Sequence, residues 1–318
     1  MCRFGHIRAA GLGGVALALA LASGASAGTI VRDASGRRVE IADATRIVSI
    51  GGAITEILYA LGLERRVIAV DSTSSYPPQA LKDKPNVGYM RQLSPEGVLG
   101  VAPSLVLATE GSGPPETVAV LQAARVPLVV VPDHFSGEGI LEKIATVAAA
   151  TSAPEKCLAQ AVTADLQALA QTRQRIAAPR RVLFLLSFVN GRPMVAGRST
   201  AADGIIRLAG AVNAVSEYDG YKLIGDEAII TARPDAVLAM QREGLALDAE
   251  TVFAHPGFAA TPAAARKAFT SMGGLYLLGF GPRTALAARD LAAALYPDVS
   301  TEKLPSERGT PVSDACRS

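Results

Sequence analysis

Ile140 to Ile176, ILEKIATVAAATSAPEKCLAQAVTADLQALAQTRQRI, is the stretch on which the fold turns. Ile140 to Ala150 and Ala153 to Arg175 carry apolar residues at helical spacing, Leu158, Val162, Leu166, Leu169 and Ile176 among them. Recurrence every three or four residues predicts helix, and no strand-like run interrupts it. The middle of the chain is therefore a long rigid connector, not a flexible hinge.

On both sides of that connector, strands alternate with helices. Ahead of it, Thr29 to Ile41 reads as a hairpin around Ser35-Gly36. Arg46-Ile47-Val48-Ser49-Ile50 has the unbroken apolar character of a strand buried on both faces, and Thr55 to Leu63 follows as a helix stopped by Gly62. Val67 to Asp71, Leu105 to Ala108 and Pro127 to Val131 are further strands, with helices predicted over Pro95 to Val101 and Thr117 to Ala124. Beyond Pro179 the alternation resumes, with strands over Arg181 to Leu186, Ala236 to Met240 and Gly274 to Leu278, and helices over Thr200 to Ala209, Ala263 to Phe269 and Arg283 to Leu295. Such alternation specifies parallel sheets covered by helices. The predicted fold is α/β, two Rossmann-like lobes joined by a single long helix with a ligand cleft between them. The boundaries expected are 1–27 for a leader, 28–150 for the first lobe, 151–178 for the connector, 179–300 for the second lobe and 301–318 for a disordered tail.

The leader is read from Arg3 and Arg8 ahead of the apolar run Ala9 to Ser23, which ends in Ala25-Ser26-Ala27. A basic start, a short apolar core and an A-x-A site describe a secretory signal peptide, and the core is too short to span a bilayer. The mature chain is expected to begin at Gly28 and to work in the periplasm without a lipid anchor, because Cys2 precedes the apolar run. That leaves Cys157 and Cys316, whose pairing in an oxidising compartment stays open, since sequence supplies no distance between them. With 49% hydrophobic and 19% charged residues the chain has a large core. A net charge of +2 leaves no footprint for nucleic acid.

The segment with the most pointed chemistry is Asn86 to Gly97, NVGYMRQLSPEG. If Tyr89 to Arg91 runs extended, the phenol and the guanidinium face one space. A guanidinium beside a phenol favours the phenolate, and a phenolate is a hard anionic ligand for ferric iron, including haem iron. The competing reading is a surface tyrosine beside a solvated arginine. The loop Ser72 to Pro78 leaves the carboxyl end of a strand, where open α/β sheets place ligands.

Four stretches, Arg46 to Ile57, Gly88 to Gly97, Pro193 to Asp203 and Leu275 to Thr284, resemble in wording and order the periplasmic haem-binding proteins of bacterial haem ABC importers. These belong to the helical-backbone (class III) substrate-binding proteins, which also serve cobalamin and ferric siderophores. The resemblance spans the mature chain. It implies Tyr89 as the axial tyrosinate to ferric haem, the transported ligand, with Arg91 hydrogen-bonded to it or to a propionate. It implies Arg198 as a cleft cation on the second lobe, with Tyr221 and Lys222 as weaker candidates. Glu96 and Glu227 match the acidic residues that dock each lobe onto an inner-membrane permease with its ATPase, although capping a helix dipole is an ordinary alternative for both. A monomer that receives haem from an outer-membrane receptor system completes the expectation.

His134 and His255 are the only histidines beyond the leader. Either is a possible sixth iron ligand or a structural residue, and two are too few for a closed zinc or manganese cage. Beyond the leader there is no Gly-x-Ser-x-Gly elbow, no phosphate-binding Walker loop and no Cys-x-x-Cys, so no catalytic role is expected and a secreted hydrolase is the distant alternative. Among binders, cobalamin and ferric siderophores are the rivals to haem. Cobalamin would draw on aromatic platforms, of which a chain with no Trp offers few.

Overall fold

The computed structural model describes Met1, residues 28–241 and residues 247–308. The expected signal peptide lies outside the described residues.

The chain opens with the hairpin β1 (Thr29–Arg32) and β2 (Arg38–Ile41), turned at Gly36. Then come β3 (Ile47–Ile50), α1 (Gly52–Ala60), β4 (Val67–Val70), α2 (Gln79–Asp83), α3 (Pro95–Leu99), β5 (Leu105–Thr109), α4 (Pro115–Ala123) and β6 (Leu128–Val131). Four of these strands form a parallel sheet in the order β4-β3-β5-β6. All four residues of β3 are buried, which explains its lack of polar alternation. The chain leaves β3 for β4 on one side and reaches β5 on the other, so the carboxyl ends of β3 and β5 flank the crevice where such sheets bind ligands.

The connector is two helices, α5 (Gly137–Thr151) and α6 (Lys156–Gln174). They are separated at Ser152, which adopts a left-handed conformation just before Pro154, a residue that cannot continue a helix. α5 buries Ile140, Ile144 and Val147, and α6 buries Leu158, Val162 and Leu169.

The second lobe contains β7 (Arg181–Val189), β8 (Arg192–Ala196), α7 (Ala201–Leu208), β9 (Val212–Asn213), β10 (Tyr221–Leu223), α8 (Asp226–Ala232), β11 (Ala236–Gln241), α9 (Ala249–Ala254), α10 (Pro256–Ala259), α11 (Pro262–Ala265), β12 (Phe269–Gly273), α12 (Gly274–Leu278) and α13 (Thr284–Leu295). Its sheet runs β10-β8-β7-β11-β12, with β9 on β7. β7, β11 and β12 are parallel, whereas β8 and β10 add antiparallel pairs. The molecule is thus two α/β lobes joined by the long connector, with the cleft between them.

Three sequence expectations need correction. Gly274 to Leu278 is a helix, and the strand lies just before it at Phe269–Gly273. A short apolar run fits a buried helical turn as well as a strand. The helix expected over Ala263 to Phe269 stops at Ala265, because Lys267 takes a positive φ of 51° and Phe269 enters the sheet. The described part of the expected disordered tail is packed: Leu304 is buried, Pro305–Glu307 is a 3-10 helix, and Arg289 forms two hydrogen bonds to Glu307 at 2.7 and 2.9 Å. Residues 309–318 of that tail lie outside the described residues.

Candidate functional site

The loop carrying Tyr89 and Arg91 is pinned at both ends. Asn86 bridges to Val70, the Val87 N–H donates to the Val70 carbonyl at 2.9 Å, and the Ser72 N–H donates to the Gly88 carbonyl at 2.9 Å. On the other side the Leu93 N–H donates to the Gly113 carbonyl and the Gly113 N–H to the Met90 carbonyl, each at 2.9 Å. Val87 and Leu93 are buried as anchors while Tyr89 is 41% exposed, a large aromatic face left open on a fixed scaffold. The phenol has no hydrogen-bond partner among the described residues.

The backbone here is not extended. The Gln92 N–H donates to the Tyr89 carbonyl at 2.8 Å, closing a turn over Tyr89-Met90-Arg91-Gln92, and Gly88 before it has a φ of 102°. The rule that residues i and i+2 point the same way holds for strands, so it does not apply to Tyr89 and Arg91. Arg91 instead lies within electrostatic reach of Tyr221 on the second lobe. Burial pushes the Tyr221 phenol up, and the Arg91 guanidinium opposes that shift from across the cleft.

The second-lobe face is built by β10 and the loop after β8. Tyr221 pairs with Ala196 in the sheet and meets Phe184 edge-on at 6.4 Å between ring centroids. Arg198 is exposed but already paired: its Nη2 lies 3.4 Å from an Asp219 carboxylate oxygen, whose other oxygen accepts from the Ser199 hydroxyl at 2.9 Å. Asp219 escaped the sequence reading, because nothing local marks it as the partner of a residue on another loop. The Lys222 ammonium sits 4.8 Å from the centre of the Tyr218 ring.

At the base of the cleft the lobes meet through buried charge. The Glu56 carboxylate on α1 accepts from the Arg283 backbone N–H at 3.1 Å and from its Nε and Nη2, each at 3.0 Å. Burial raises the Glu56 carboxyl above the ordinary glutamate value, with Arg283 opposing the rise. The Arg283 guanidinium also lies 3.4 Å from the centre of the Tyr76 ring. Beside it the fully buried Lys143 donates to Asp133 at 2.6 Å, and to the carbonyls of Phe280 and Gly279 at 3.2 and 3.4 Å. Gly52 is required at this junction, since a Cβ there would lie 2.4 Å from the Thr73 carbonyl oxygen and 2.6 Å from Leu275.

The two docking candidates are exposed in the first turns of short helices. Glu96 follows the N-cap Ser94, whose hydroxyl accepts from the Gly97 N–H and donates to Glu96, while Glu227 opens α8 beside Asp226. The histidines have structural partners. His134 is exposed and bonds Glu142 at 2.8 Å. His255 stacks on Phe188 at 5.3 Å and bonds the Gly191 carbonyl at 3.1 Å, a packed position within the second lobe. Among the described residues no helix is long and apolar enough to cross a membrane.

Two α/β lobes on a helical tie, with a cleft between them, define a solute-binding protein. The chain belongs to the periplasmic binding protein family, whose model matches residues 47–274. It is similar to the periplasmic heme-binding protein RhuT from Roseiflexus sp. RS-1, at 39% identity and a TM-score of 0.75, over 81% of this chain and 100% of that one. It is also similar to YvrC of Bacillus subtilis, named an uncharacterized ABC transporter substrate-binding lipoprotein, with 26% identity over 278 residues, 86% of this chain and 87% of that protein. A vitamin B12-binding protein of Vibrio campbellii is 28% identical over 204 residues, 62% of this chain and 70% of its own. The family consists of substrate-binding transport proteins, so the expectation of a non-enzyme stands.

Proposed function

We propose that the chain is the periplasmic haem-binding component of an ABC importer, holding ferric haem through Tyr89 and delivering it to an inner-membrane permease and its ATPase. The observation that carries this reading is the Tyr89 phenol, exposed and without a hydrogen-bond partner among the described residues, on a loop pinned at both ends. A single anionic oxygen ligand suits a ferric centre that is passed on without reduction. The likeness at 39% identity to a haem-binding protein supports the ligand class.

Arg91 follows this phenol by two residues, has no carboxylate partner among the described residues and lies near enough to Tyr221 of the second lobe to oppose its shift, so a propionate carboxylate would bind there. Arg198 has a weaker claim, because Asp219 already neutralises it. Neither His134 nor His255 is retained as a sixth ligand, given the partners each has within its own lobe. Glu96 and Glu227 are the docking carboxylates, one per lobe.

Titration of the mature protein with hemin tests the reading. A ferric tyrosinate absorption band is expected for the parent and is expected to vanish in Tyr89→Phe; a band that survives the substitution removes Tyr89 from its role. The vitamin B12-binding relative favours a second reading, cobalamin as ligand. Parallel titration with cobalamin decides between them, since tight cobalamin binding with no hemin band would overturn the haem assignment.

A further inference from the structure

Tyr76 stands in the loop that leaves β4, half-buried, and its ring centre lies 3.4 Å from the guanidinium carbon of Arg283 on the second lobe. Arg283 is fixed independently of that contact. Its Nε, Nη2 and backbone N–H donate to Glu56 on α1, and its guanidinium lies 5.2 Å from the centre of the Tyr276 ring, whose hydroxyl donates to Asp290 on α13 at 2.8 Å. The Arg283 side chain is only 20% exposed, a setting in which a cation on an aromatic face is held more strongly than in open water. The Tyr76 hydroxyl makes no hydrogen bond among the described residues, so the ring face and not the hydroxyl engages the second lobe.

The amino-terminal part of the same loop is tied down by Asp71, a fully buried carboxylate just past the end of β4. It accepts from the Gly51 N–H at 2.9 Å, the Thr73 N–H at 3.0 Å and the Ser74 hydroxyl at 2.9 Å. From between the Asp71 and Tyr76 anchors the Ser72 N–H donates to the Gly88 carbonyl, the residue before Tyr89. Leu275 of the second lobe reaches the same place, since Gly52 is wedged between it and the Thr73 carbonyl.

We propose that Arg283 is a positioning residue for the ligand loop of the opposite lobe. Stacked on Tyr76, it sets the loop 72–78, and through the hydrogen bond from Ser72 to Gly88 it sets the segment that presents Tyr89. The position of the second lobe and the attitude of Tyr89 are thereby one variable, not two. Its consequence for affinity rests on the reading of Tyr89 as the iron ligand: a site on the first lobe is then completed by a residue of the second that never touches the ligand.

Tyr76→Ala and Tyr76→Phe test this, since both leave the pair of Glu56 and Arg283 in place. Hydrogen exchange read by mass spectrometry on the ligand-free protein reports the loop directly. Peptides covering residues 71–93 are expected to exchange faster in Tyr76→Ala and at the parent rate in Tyr76→Phe, which keeps the stacking ring. Hemin titration reports the consequence: binding is expected to weaken by about twofold to 30-fold in Tyr76→Ala and to stay unchanged in Tyr76→Phe. Unchanged exchange or unchanged affinity in Tyr76→Ala overturns the proposal, and so does a loss in Tyr76→Phe, which would put the hydroxyl on the ligand. Arg283→Lys keeps a cation for Glu56 without the flat face that stacks. Combined with Tyr76→Ala it is expected to lose no more affinity than the larger single loss, and summed losses overturn the coupling. Faster exchange in Tyr76→Ala from a parent that shows no tyrosinate band with hemin would uphold Arg283 as the residue that positions the loop and bring down only the haem reading of Tyr89.

Discussion

Glu56 of the first lobe and Arg283 of the second form a buried interlobe pair, with three hydrogen bonds of 3.0 to 3.1 Å converging on one carboxylate. Tyr76 covers the guanidinium on one side, and Lys143 reaches the adjoining carbonyls of Gly279 and Phe280. A loop of the second lobe is thereby fastened to α1 of the first lobe and to α5 of the connector.

Removing one partner of a buried pair leaves the other charge uncompensated, at a cost of about 3–5 kcal/mol. Glu56→Ala and Arg283→Ala are each expected to lower the melting temperature by about 6–15 °C, measured by calorimetry. The double substitution is expected to cost less than the two single costs added together, because the second deletion removes the stranded charge. Simple additivity would mean that the two side chains do not act as a unit.

Arg91 and Arg198 should differ in their effect on haem. Arg91 has no carboxylate partner among the described residues, whereas Arg198 is held by Asp219. A charged hydrogen bond contributes roughly 1.5–3 kcal/mol, so Arg91→Ala is expected to weaken hemin binding by about 10-fold to 100-fold. Arg198→Ala is expected to change it by less than about threefold, as for other exposed ion pairs. Equal losses in fluorescence-quenching titrations would show that Asp219 does not neutralise Arg198 when ligand is present.

For docking, Glu96→Ala and Glu227→Ala are expected to lose uptake in a reconstituted transporter while hemin affinity is unchanged. Two separated carboxylates report the relative position of the lobes, so the double variant should lose more than either single one. Full transport by the double variant would return both residues to ordinary helix capping.

Local pattern made much of this molecule legible. Ile47-Val48-Ser49-Ile50 reads as a buried parallel strand and is one, and the apolar spacing of Ile140 to Ile176 revealed the connector. What local pattern could not carry was geometry set by distant partners. Tyr89 and Arg91 follow a glycine at positive φ into a turn held by Val70 and Gly113, so their mutual orientation is tertiary. Glu56 and Arg283 each lie in stretches that carried the family resemblance, yet nothing in either stretch announces a pairing 227 residues apart. Leu275-Tyr276-Leu277-Leu278 fits strand and helix periods alike, and it folds as helix directly after β12.

The packed segment around Glu307 should respond to acid. Two hydrogen bonds from Arg289 hold the Glu307 carboxyl below the usual glutamate range. A carboxylate whose value is depressed by folding stabilises the fold above its unfolded value, about 4.3, and loses that contribution as the pH falls through the folded value. Glu307→Gln is therefore expected to lower the melting temperature at pH 7, with the gap between parent and variant closing as the pH drops below about 4. Melting curves of both proteins across pH 3 to 8 check this. A gap that stays constant over that range would mean Glu307 acts through packing and not through its charge.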